Sequence, residues 1–287
     1  MAFKATVADW LSLQILFGDL WARSDALFEE EYFMTTSSTA FLADFFADRV
    51  VLVTGGASGI GKAVAEKLIA LKAKIVRWDV NGARLQEMAD KHGEQVLTAI
   101  VDVSDKAAVD RAAHDIAAKW GGIDHLVNNA GIIGQRMTVK EFDADELDRV
   151  LAVNLKSVFY VSSAFLNNPG IKPSKSIVGL SSIAGRTGGM VGNIAYATTK
   201  GAIASYTYAL AKELAPEIRV NALAPGVIDT EIQKDVFADP ASIAKMADLI
   251  PLKRLGTADE VADAAIWLLS PGAAYITGVV LDVSGGR

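Results

Sequence analysis

Residues 50–61 read VVLVTGGASGIG, a short apolar run followed by a glycine-rich turn and the start of a helical pattern that continues to residue 71. Glycines between a strand and a helix allow a tight turn and let the backbone approach a pyrophosphate closely. The N-terminus of the helix then offers free N–H groups and a positive dipole to a bound anion. The stretch predicts a phosphate-binding turn; a simple tight connection between strand and helix is the alternative.

A P-loop is the other common phosphate-binding turn, and the sequence excludes it. A P-loop ends in Gly-Lys followed by Ser or Thr, whose hydroxyl binds a metal ion. Here Gly61-Lys62 is followed by Ala63, which has no hydroxyl. The turn is therefore interpreted as one that binds a dinucleotide.

From residue 49 onward, apolar runs alternate with helical patterns to the end of the chain. Such alternation is typical of βαβ units, in which helices cover both faces of a parallel sheet. We predict one α/β domain over residues 49–287: a doubly wound, Rossmann-like parallel sheet of about seven strands with helices on both faces. The predicted strands are 50–53, 74–78, 96–101, 123–127, 176–180, 218–223 and 279–283, and the predicted helices are 60–71, 83–91, 106–118, 143–166, 196–214 and 259–270.

Residues 1–48 form an aromatic-rich N-terminal extension, with ten of the 22 aromatic residues of the chain. Apolar positions recur at helical spacing over residues 8–32, so the extension is predicted to be partly helical. Gln14 and Asp19 interrupt its apolar core and the segment is not Arg-rich, so neither a secretory signal nor a transit peptide is predicted. Two interpretations stay open: the helix packs on the body of the protein or on a partner subunit, or Met34 is the natural start.

The overall composition excludes several classes of partner and site. The 287 residues carry a formal net charge of −6 and contain no basic run, which argues against a nucleic acid partner. Without cysteine there are no disulfides or thiolate metal sites, and a cytoplasmic location is predicted. The three histidines lie apart, so no metal site is predicted. No run approaches the ~20 uninterrupted apolar residues of a spanning helix, so no membrane partner is predicted.

Asp79 ends the second predicted strand, 18 residues after Gly61, where an acidic residue meets the adenosine ribose in dinucleotide-binding folds. Its carboxylate would accept hydrogen bonds from the ribose hydroxyls and repel a 2′-phosphate. A site for that phosphate would have Arg or Lys directly after the strand, whereas Val80-Asn81-Gly82 follow here and Arg77 lies two residues earlier. The sequence favours NAD over NADP; an ordinary solvated Asp at a strand end is the alternative.

Two further strand ends carry polar residues. Asp102-Val103 follows the third strand, where the adenine ring would rest, and Asn128-Asn129-Ala130-Gly131 follows the fourth. The carboxyl ends of parallel strands are where open α/β sheets bind ligands. Because Asn, Asp and Gly are also ordinary turn residues, turn formation alone is the alternative for both.

Tyr196-Ala197-Thr198-Thr199-Lys200, at the start of a predicted helix, is the strongest candidate for chemistry. The i, i+4 spacing puts the phenol and the ammonium on one face. A nearby cation favours phenolate and lowers a phenol pKa from about 10. Such a tyrosine can accept or return the proton of an alcohol while a hydride moves to a nicotinamide. Ser181-Ser182, at the end of the preceding strand, would bring a hydroxyl to the same oxygen; a surface Tyr–Lys pair is the alternative.

Together these motifs resemble the short-chain dehydrogenase/reductase family, in its compact single-domain branch, over residues 49–287. The resemblance implies an NAD-dependent enzyme that transfers a hydride between NAD(H) and a small secondary alcohol or ketone. The matching elements, in order, are Thr-Gly-x-x-x-Gly-x-Gly at 54–61, Asp102, Asn-Asn-Ala-Gly at 128–131, Asn154, Ser182, Tyr196 with Lys200, Pro225-Gly226 and Thr230.

The resemblance also implies a role for each site residue. Tyr196 would be the general acid/base, and Ser182 would orient the substrate oxygen. Lys200 would lower the tyrosine pKa and hold the nicotinamide ribose, and Asn154 would position a water that leads protons out from Lys200. The residues implied for cofactor binding are Gly55, Ser58, Gly59, Ile60, Gly61, Asp79, Asp102, Val103, Asn129, Ala130, Gly131, Tyr196, Lys200, Pro225, Gly226, Val227 and Thr230.

The sequence departs from the family pattern between the tyrosine and the lysine, where Thr198-Thr199 replaces Ala-Ser. These positions are predicted to point away from the Tyr–Lys face, so little consequence is expected. Ser182 is preferred over Ser181 as the catalytic serine because it directly precedes Ile-Ala-Gly. The substrate wall is expected from residues 132–137, 185–195 and 227–251, whose mixture of apolar and polar side chains suits a small or medium hydroxy compound.

Two other functions stay open. One is a non-catalytic NAD-binding or scaffold protein, because fold alone does not fix function. The other is a nucleotide-sugar epimerase or dehydratase from the longer branch of the same superfamily. The helical segments 143–166 and 196–214 carry apolar residues on more than one face. The resemblance implies that such helices pair in a homo-oligomer, usually a tetramer.

Overall fold

The computed structural model of the protein describes residues 38–231 and 240–287. The chain divides into two units, Met1–Phe41 and Leu42–Arg287. The second unit contains the α/β domain predicted over residues 49–287, and Phe46, just before that range, is fully buried in its hydrophobic core. The helix predicted over residues 8–32 and the alternative start at Met34 lie outside the described residues.

Seven strands form one parallel sheet, which confirms the predicted doubly wound, Rossmann-like fold. These strands are β1 Val50–Thr54, β2 Lys74–Asp79, β3 Val96–Ile100, β4 His125–Asn128, β5 Lys175–Leu180, β6 Ile218–Pro225 and, after two short strands, β9 Val280–Val283. Their order in the sheet is β3-β2-β1-β4-β5-β6-β9. The short strands β7 Ile228–Asp229 and β8 Gly256–Thr257 pair with each other in a separate sheet.

The helices alternate with the strands as predicted, with ends shifted by one or two residues, which is within the normal uncertainty of helix boundaries. They are α1 Ser38–Phe46, α2 Gly59–Ala70, α3 Gly82–His92, α4 Lys106–Trp120, α5 Ala144–Leu151, α6 Ser157–Asn167, α7 Ala184–Thr187, α8 Ile194–Leu214, α9 Pro240–Asp248 and α10 Ala258–Leu269. Single 3-10 turns lie at Gly93–Gln95, Val139–Glu141 and Pro271–Ala273.

Two hydrophobic cores lie on the two faces of the sheet. Val51 and Val53 of β1 pack with α2 and α10 on one face, and Val50 and Leu52 pack with α4, α6 and α8 on the other. This follows from the alternation of side chains along a strand. Every residue of β1 is buried, as expected for a parallel strand covered on both faces.

The helical region predicted over residues 143–166 is present at Ala144–Asn167, but its middle is not α-helical. A π-turn, Ala152–Lys156, separates α5 from α6. The fully buried Asn154 lies in this turn, and its side chain accepts from the N–H of Ile132 and donates to the C=O of Ile132, both at 2.8 Å. π-turns of this kind are frequent at functional sites. The turn carries Asn154 to the loop that follows β4.

The combined run Ala144–Asn167 is, within the described part of the chain, the helix long and apolar enough to cross a membrane by length and composition. Of its most apolar 18-residue window, 44% is buried inside the domain. Val161 and Phe165 belong to the core beneath the sheet, so this is the pattern of a core helix.

Candidate active site

A cavity of about 480 Å³ lies at the carboxyl ends of the strands. Open α/β sheets bind ligands at this edge, at the point where the strand order reverses, which is here between β1 and β4. Of the residues predicted to bind the cofactor, all except Gly61 and Val227 line the cavity, and Ser182 lines it as well. Val227 instead lines a second cavity of about 220 Å³. The structure therefore brings together residues that lie as far apart in sequence as Gly55 and Thr230.

The glycine-rich turn between β1 and α2 forms one wall of this cavity. Gly55 has a φ of +63°, a conformation that L-residues with side chains rarely adopt. A Cβ on Gly61 would lie 2.3 Å from the carbonyl oxygen of Gly55, so Gly61 allows the helix to pack directly against the turn. Ser58 begins α2 without a side-chain capping bond, which leaves the first N–H groups of the helix for an anionic ligand. This cradle fits a pyrophosphate.

Thr54 and Asn129 join the glycine-rich turn to the loop after β4. The Thr54 hydroxyl accepts from the N–H groups of Asn129 at 3.0 Å and Ala130 at 3.1 Å. In return, the Asn129 amide donates to the carbonyl oxygens of Thr54 at 2.9 Å and Gly55 at 3.1 Å. Sequence reasoning assigned no role to the Thr54 side chain, because its partner is 75 residues away.

Asp79 lines the cavity at the end of β2 and fixes the backbone around it. One carboxylate oxygen accepts from the N–H of Ala57 at 3.0 Å, and the other accepts from the N–H of Asn81 at 3.0 Å. Asp79 is therefore more than a solvated residue at a strand end. A carboxylate oxygen has further acceptor capacity, so both oxygens remain able to accept from a ribose hydroxyl. The residues present thus fit a dinucleotide along the whole cavity.

Ser182 is the serine that meets the tyrosine. The Tyr196 phenol and the Ser182 side chain both line the cavity, and their interaction acts to lower the pKa of the phenol. The Ser182 hydroxyl also accepts from the N–H of Ala184 at 3.1 Å. Ser181 instead donates to the carbonyl oxygen of Lys200 at 2.7 Å, which ties the end of β5 to α8. Ser182 is therefore available to a ligand in the cavity, whereas the Ser181 hydroxyl is used to connect β5 with α8.

Lys200 is buried one helical turn beyond Tyr196, and burial lowers its pKa to about 8. Its ammonium lies 5.6 Å from the centre of the Tyr196 ring and donates to the carbonyl oxygen of Leu180 at 2.7 Å. The expected lowering of the tyrosine pKa by Lys200 is not found. Burial raises the pKa of the Tyr196 phenol, and its interaction with Ser182 opposes this only in part.

Thr199 has a structural role that sequence reasoning missed. Thr198 is exposed, whereas Thr199 is fully buried, so only the first of the two threonines points away from the protein interior. The Thr199 hydroxyl donates to the carbonyl oxygen of Tyr196 at 2.7 Å and accepts from the amide of Asn154 at 3.2 Å. It therefore links the start of α8 to the π-turn.

Glu146, on α5, is hydrogen-bonded to the loop that follows β4. Its buried carboxylate accepts from the N–H of Gln135 at 2.6 Å and from two nitrogens of Arg149 at 2.7 and 2.9 Å. The Arg149 and Gln135 hydrogen bonds lower the pKa of Glu146. An acid three residues before an arginine on a helix predicts the ion pair. The bond to the loop could not be seen in the sequence.

Comparison with known proteins gives a consistent result. The family described as "Enoyl-(Acyl carrier protein) reductase" matches residues 55–287. The 3-oxoacyl-(acyl-carrier-protein) reductase FabG of Chlamydia trachomatis is 36% identical over 251 residues, which cover 85% of this chain and 99% of that protein. A Brucella melitensis crystal structure, titled short-chain dehydrogenase/reductase SDR: glucose/ribitol dehydrogenase, has 35% identity and a TM-score of 0.79, and the match covers 84% of this chain and 97% of that one.

The chain belongs to the short-chain dehydrogenase/reductase family. The 2-dehydro-3-deoxy-L-rhamnonate dehydrogenase (NAD(+)) of a Sphingomonas species is also similar, with 36% identity over 245 residues that cover 84% of this chain and 96% of that protein. As a member of the family, the protein is an oxidoreductase that transfers a hydride between a nicotinamide cofactor and a ketone or alcohol substrate.

Loss of the Thr199 hydroxyl should impair the short-chain dehydrogenase/reductase site without unfolding it. In Thr199→Val the amide of Asn154 and the carbonyl of Tyr196 each lose a partner, and one buried hydrogen bond is worth about 0.5–1.5 kcal/mol. We expect kcat to fall about tenfold at nearly constant KM, with a lower melting temperature. Thr199→Ser, which keeps the hydroxyl, should restore most of the activity.

The exposed neighbour provides the matched control. Thr198→Val makes the same chemical change one residue away and should leave kcat within about twofold, because exposed substitutions rarely matter. Equal losses in the two valine variants, or no rescue by serine, would contradict the linking role of Thr199.

Proposed function

We propose that the protein interconverts a secondary alcohol and a ketone with NAD(H), and that Tyr196 is the general acid/base. The observation that carries the proposal is that Tyr196, Ser182 and the buried Lys200, one helical turn from Tyr196, line the same cavity as the glycine-rich turn. Three side chains from two elements meet at the place where a substrate oxygen would lie next to a nicotinamide.

In this mechanism the Ser182 hydroxyl orients the substrate oxygen toward Tyr196. Tyr196 takes the alcohol proton in the oxidation and returns it in the reduction. A bound nicotinamide supplies the hydride chemistry and, when oxidised, a positive charge that favours phenolate. Lys200, whose pKa of about 8 lies close to neutral pH, can release and recover a proton beside the tyrosine. Its ammonium is also the donor proposed to hold the nicotinamide ribose.

Asn154 is proposed to position a water that leads protons away from Lys200. A Cβ added to Gly131 would lie 3.3 Å from the Asn154 side-chain oxygen and 3.4 Å from Lys200 Nζ. The glycine therefore keeps free the space between these two polar atoms. Because the Asn154 amide is already bonded to Ile132 and Thr199, its position is fixed before any water binds.

Tyr196→Phe tests the catalytic role, because it removes only the transferable proton. We expect kcat to fall about 10²–10⁴-fold, the usual contribution of a general acid or base. NADH binding, measured by calorimetry, should change less than twofold. Tyr206→Phe, which removes a phenol from the same helix away from the cavity, is the control and should keep its activity. Near-normal kcat in Tyr196→Phe would refute the assignment.

NAD rather than NADP is proposed as the cofactor. Support comes from Asp79 at the adenosine end of the cavity and from the similar Sphingomonas dehydrogenase, whose name specifies NAD(+). A carboxylate at this place accepts from the ribose hydroxyls and repels a 2′-phosphate.

In Asp79→Asn the ratio of kcat/KM with NAD to kcat/KM with NADP should fall at least tenfold. The substitution removes the negative charge but keeps an oxygen that accepts from the N–H of Ala57 or Asn81. The measurement is kcat/KM with NAD and with NADP for the variant and the unaltered protein. If the unaltered protein used NADP as well as NAD, the choice of cofactor would be wrong.

The two alternative functions have less support. A non-catalytic NAD-binding scaffold would not need Tyr196, Ser182 and Lys200 assembled in one cavity. A nucleotide-sugar epimerase or dehydratase is not among the similar proteins described above, which are named as reductases and dehydrogenases. We therefore propose residues 49–287 as the NAD-binding and catalytic domain, acting in the cytoplasm on a small or medium hydroxy compound.

A homo-oligomer, with a tetramer as the first choice, is proposed from the surface of α6 and α8. Phe159 is 51% exposed on α6 and Tyr208 is 47% exposed on α8. Large apolar side chains grouped at a surface mark an interaction site. Light scattering at micromolar concentration should show four subunits, and Phe159→Glu should reduce that number. A monomeric unaltered protein would refute the proposal.

A further inference from the structure

An ion pair spans the rim of the cofactor cavity. Arg84, in the first turn of α3, donates to the carboxylate of Glu231, which follows β7. Asp79 lines the cavity on the α3 side, and Thr230 and Glu231 line it on the β7 side. The pair therefore connects the adenosine side of the cavity to a segment 147 residues away in sequence. No step of the proposed reaction uses it.

The charges around Asp79 make this pair relevant to cofactor choice. The pKa of Arg84 is raised, first by its hydrogen bond and charge interaction with Glu231 and then by the charge of Asp79. Arg84 thus interacts with both carboxylates. Asp79 is itself held by the N–H groups of Ala57 and Asn81, so the more exposed guanidinium is the group able to change partner.

Arg77, the other arginine on this side, is not available for that exchange. It is fully buried beneath the glycine-rich turn, and its Nη1 donates to the carbonyl oxygen of Gly56 at 3.3 Å. Its Cβ and Cγ lie 3.1 and 3.2 Å from the position of a Cβ on Gly56, so it fills the space under the turn. Arg84 is exposed and its charge interacts with that of Asp79, which makes it the candidate cation for a phosphate at the ribose.

We propose that Glu231 is a second determinant of cofactor choice, which acts by holding Arg84 away from the 2′-position of the adenosine ribose. While Arg84 is paired with the Glu231 carboxylate, its charge is not directed at a 2′-phosphate. Without Glu231 the guanidinium turns to the phosphate, for which its planar fork is well suited. The inference rests on the proposed function, in which the ribose binds beside Asp79.

Direct binding to the full-length protein tests the inference without a substrate. Calorimetry gives Kd for NADPH and for NADH, and the ratio of the two is the readout. In Glu231→Gln we expect the ratio to fall about tenfold, the size of one charge-assisted hydrogen bond to a phosphate. In the double variant with Arg84→Ala the ratio should stay within about twofold of that of the unaltered protein. The fall in this ratio in Glu231→Gln should become smaller as the salt concentration is raised, because the interaction between the exposed Arg84 and the phosphate is screened.

Asp263→Asn is the matched control. It removes an exposed carboxylate that is paired with Lys67 at 2.7 Å, so the change in net charge is the same. Asp263 and Lys67 do not line the cavity, and the ratio should not move. A fall in the ratio that persists in the double variant, or that also appears in Asp263→Asn, would show a general charge effect and overturn the inference.

Two remaining outcomes separate this inference from the proposed function. If the unaltered protein binds NADH but Glu231→Gln leaves the ratio unchanged, the role of Glu231 is wrong and the proposed function stands. If the unaltered protein binds neither NADH nor NADPH, the proposed function is overturned and the inference with it. Melting temperatures of the variants show whether each is folded, and both positions are exposed enough for substitution to be tolerated.

Discussion

The contact between the ends of β1 and β4 is the constraint on which the rest of the structure depends. Four hydrogen bonds, each involving Thr54 or Asn129, join the two strand ends and the loops that follow them. The strand order proceeds outward from this point in both directions, β2 and β3 on one side and β5 and β6 on the other, so a crevice opens between the loops above it. The glycine-rich turn and the loop after β4 therefore form the two sides of one cavity, and neither can shift without the other.

Burial has opposite effects on the two titratable groups in the cavity. It raises the pKa of the Tyr196 phenol above its ordinary value and lowers the pKa of Lys200 to about 8. The ammonium therefore loses its proton at a lower pH than the phenol does. In the protein alone the tyrosine is kept as a neutral acid, which suits proton donation to a ketone. Proton removal from an alcohol needs the additional positive charge of an oxidised nicotinamide.

The sequence predicts the fold and most of the cavity lining because both follow from local patterns. Alternating strands and helices fix a parallel sheet, and the carboxyl ends of its strands must meet at one edge, where Asp79, Asp102 and Asn129 lie. The parts that were not predicted depend on contacts between distant segments. The sequence around Thr199 does not distinguish it from other helical threonines, because its partner Asn154 is distant in sequence. The π-turn likewise has no local signal, and its buried Asn154 bonds to Ile132 and Thr199, which are 22 and 45 residues away in sequence.

The π-turn at Ala152–Lys156 has a consequence for how this segment can change in evolution. A π-turn holds one residue more than the helical turn it replaces. Deleting one residue there would let α5 and α6 fuse into a regular helix with both halves still facing the same way, because the wider turn already accommodates the extra residue. The fused helix would have better backbone hydrogen bonding, but Asn154 would no longer face Ile132. Natural variation should therefore change the side chains of this segment far more readily than its length.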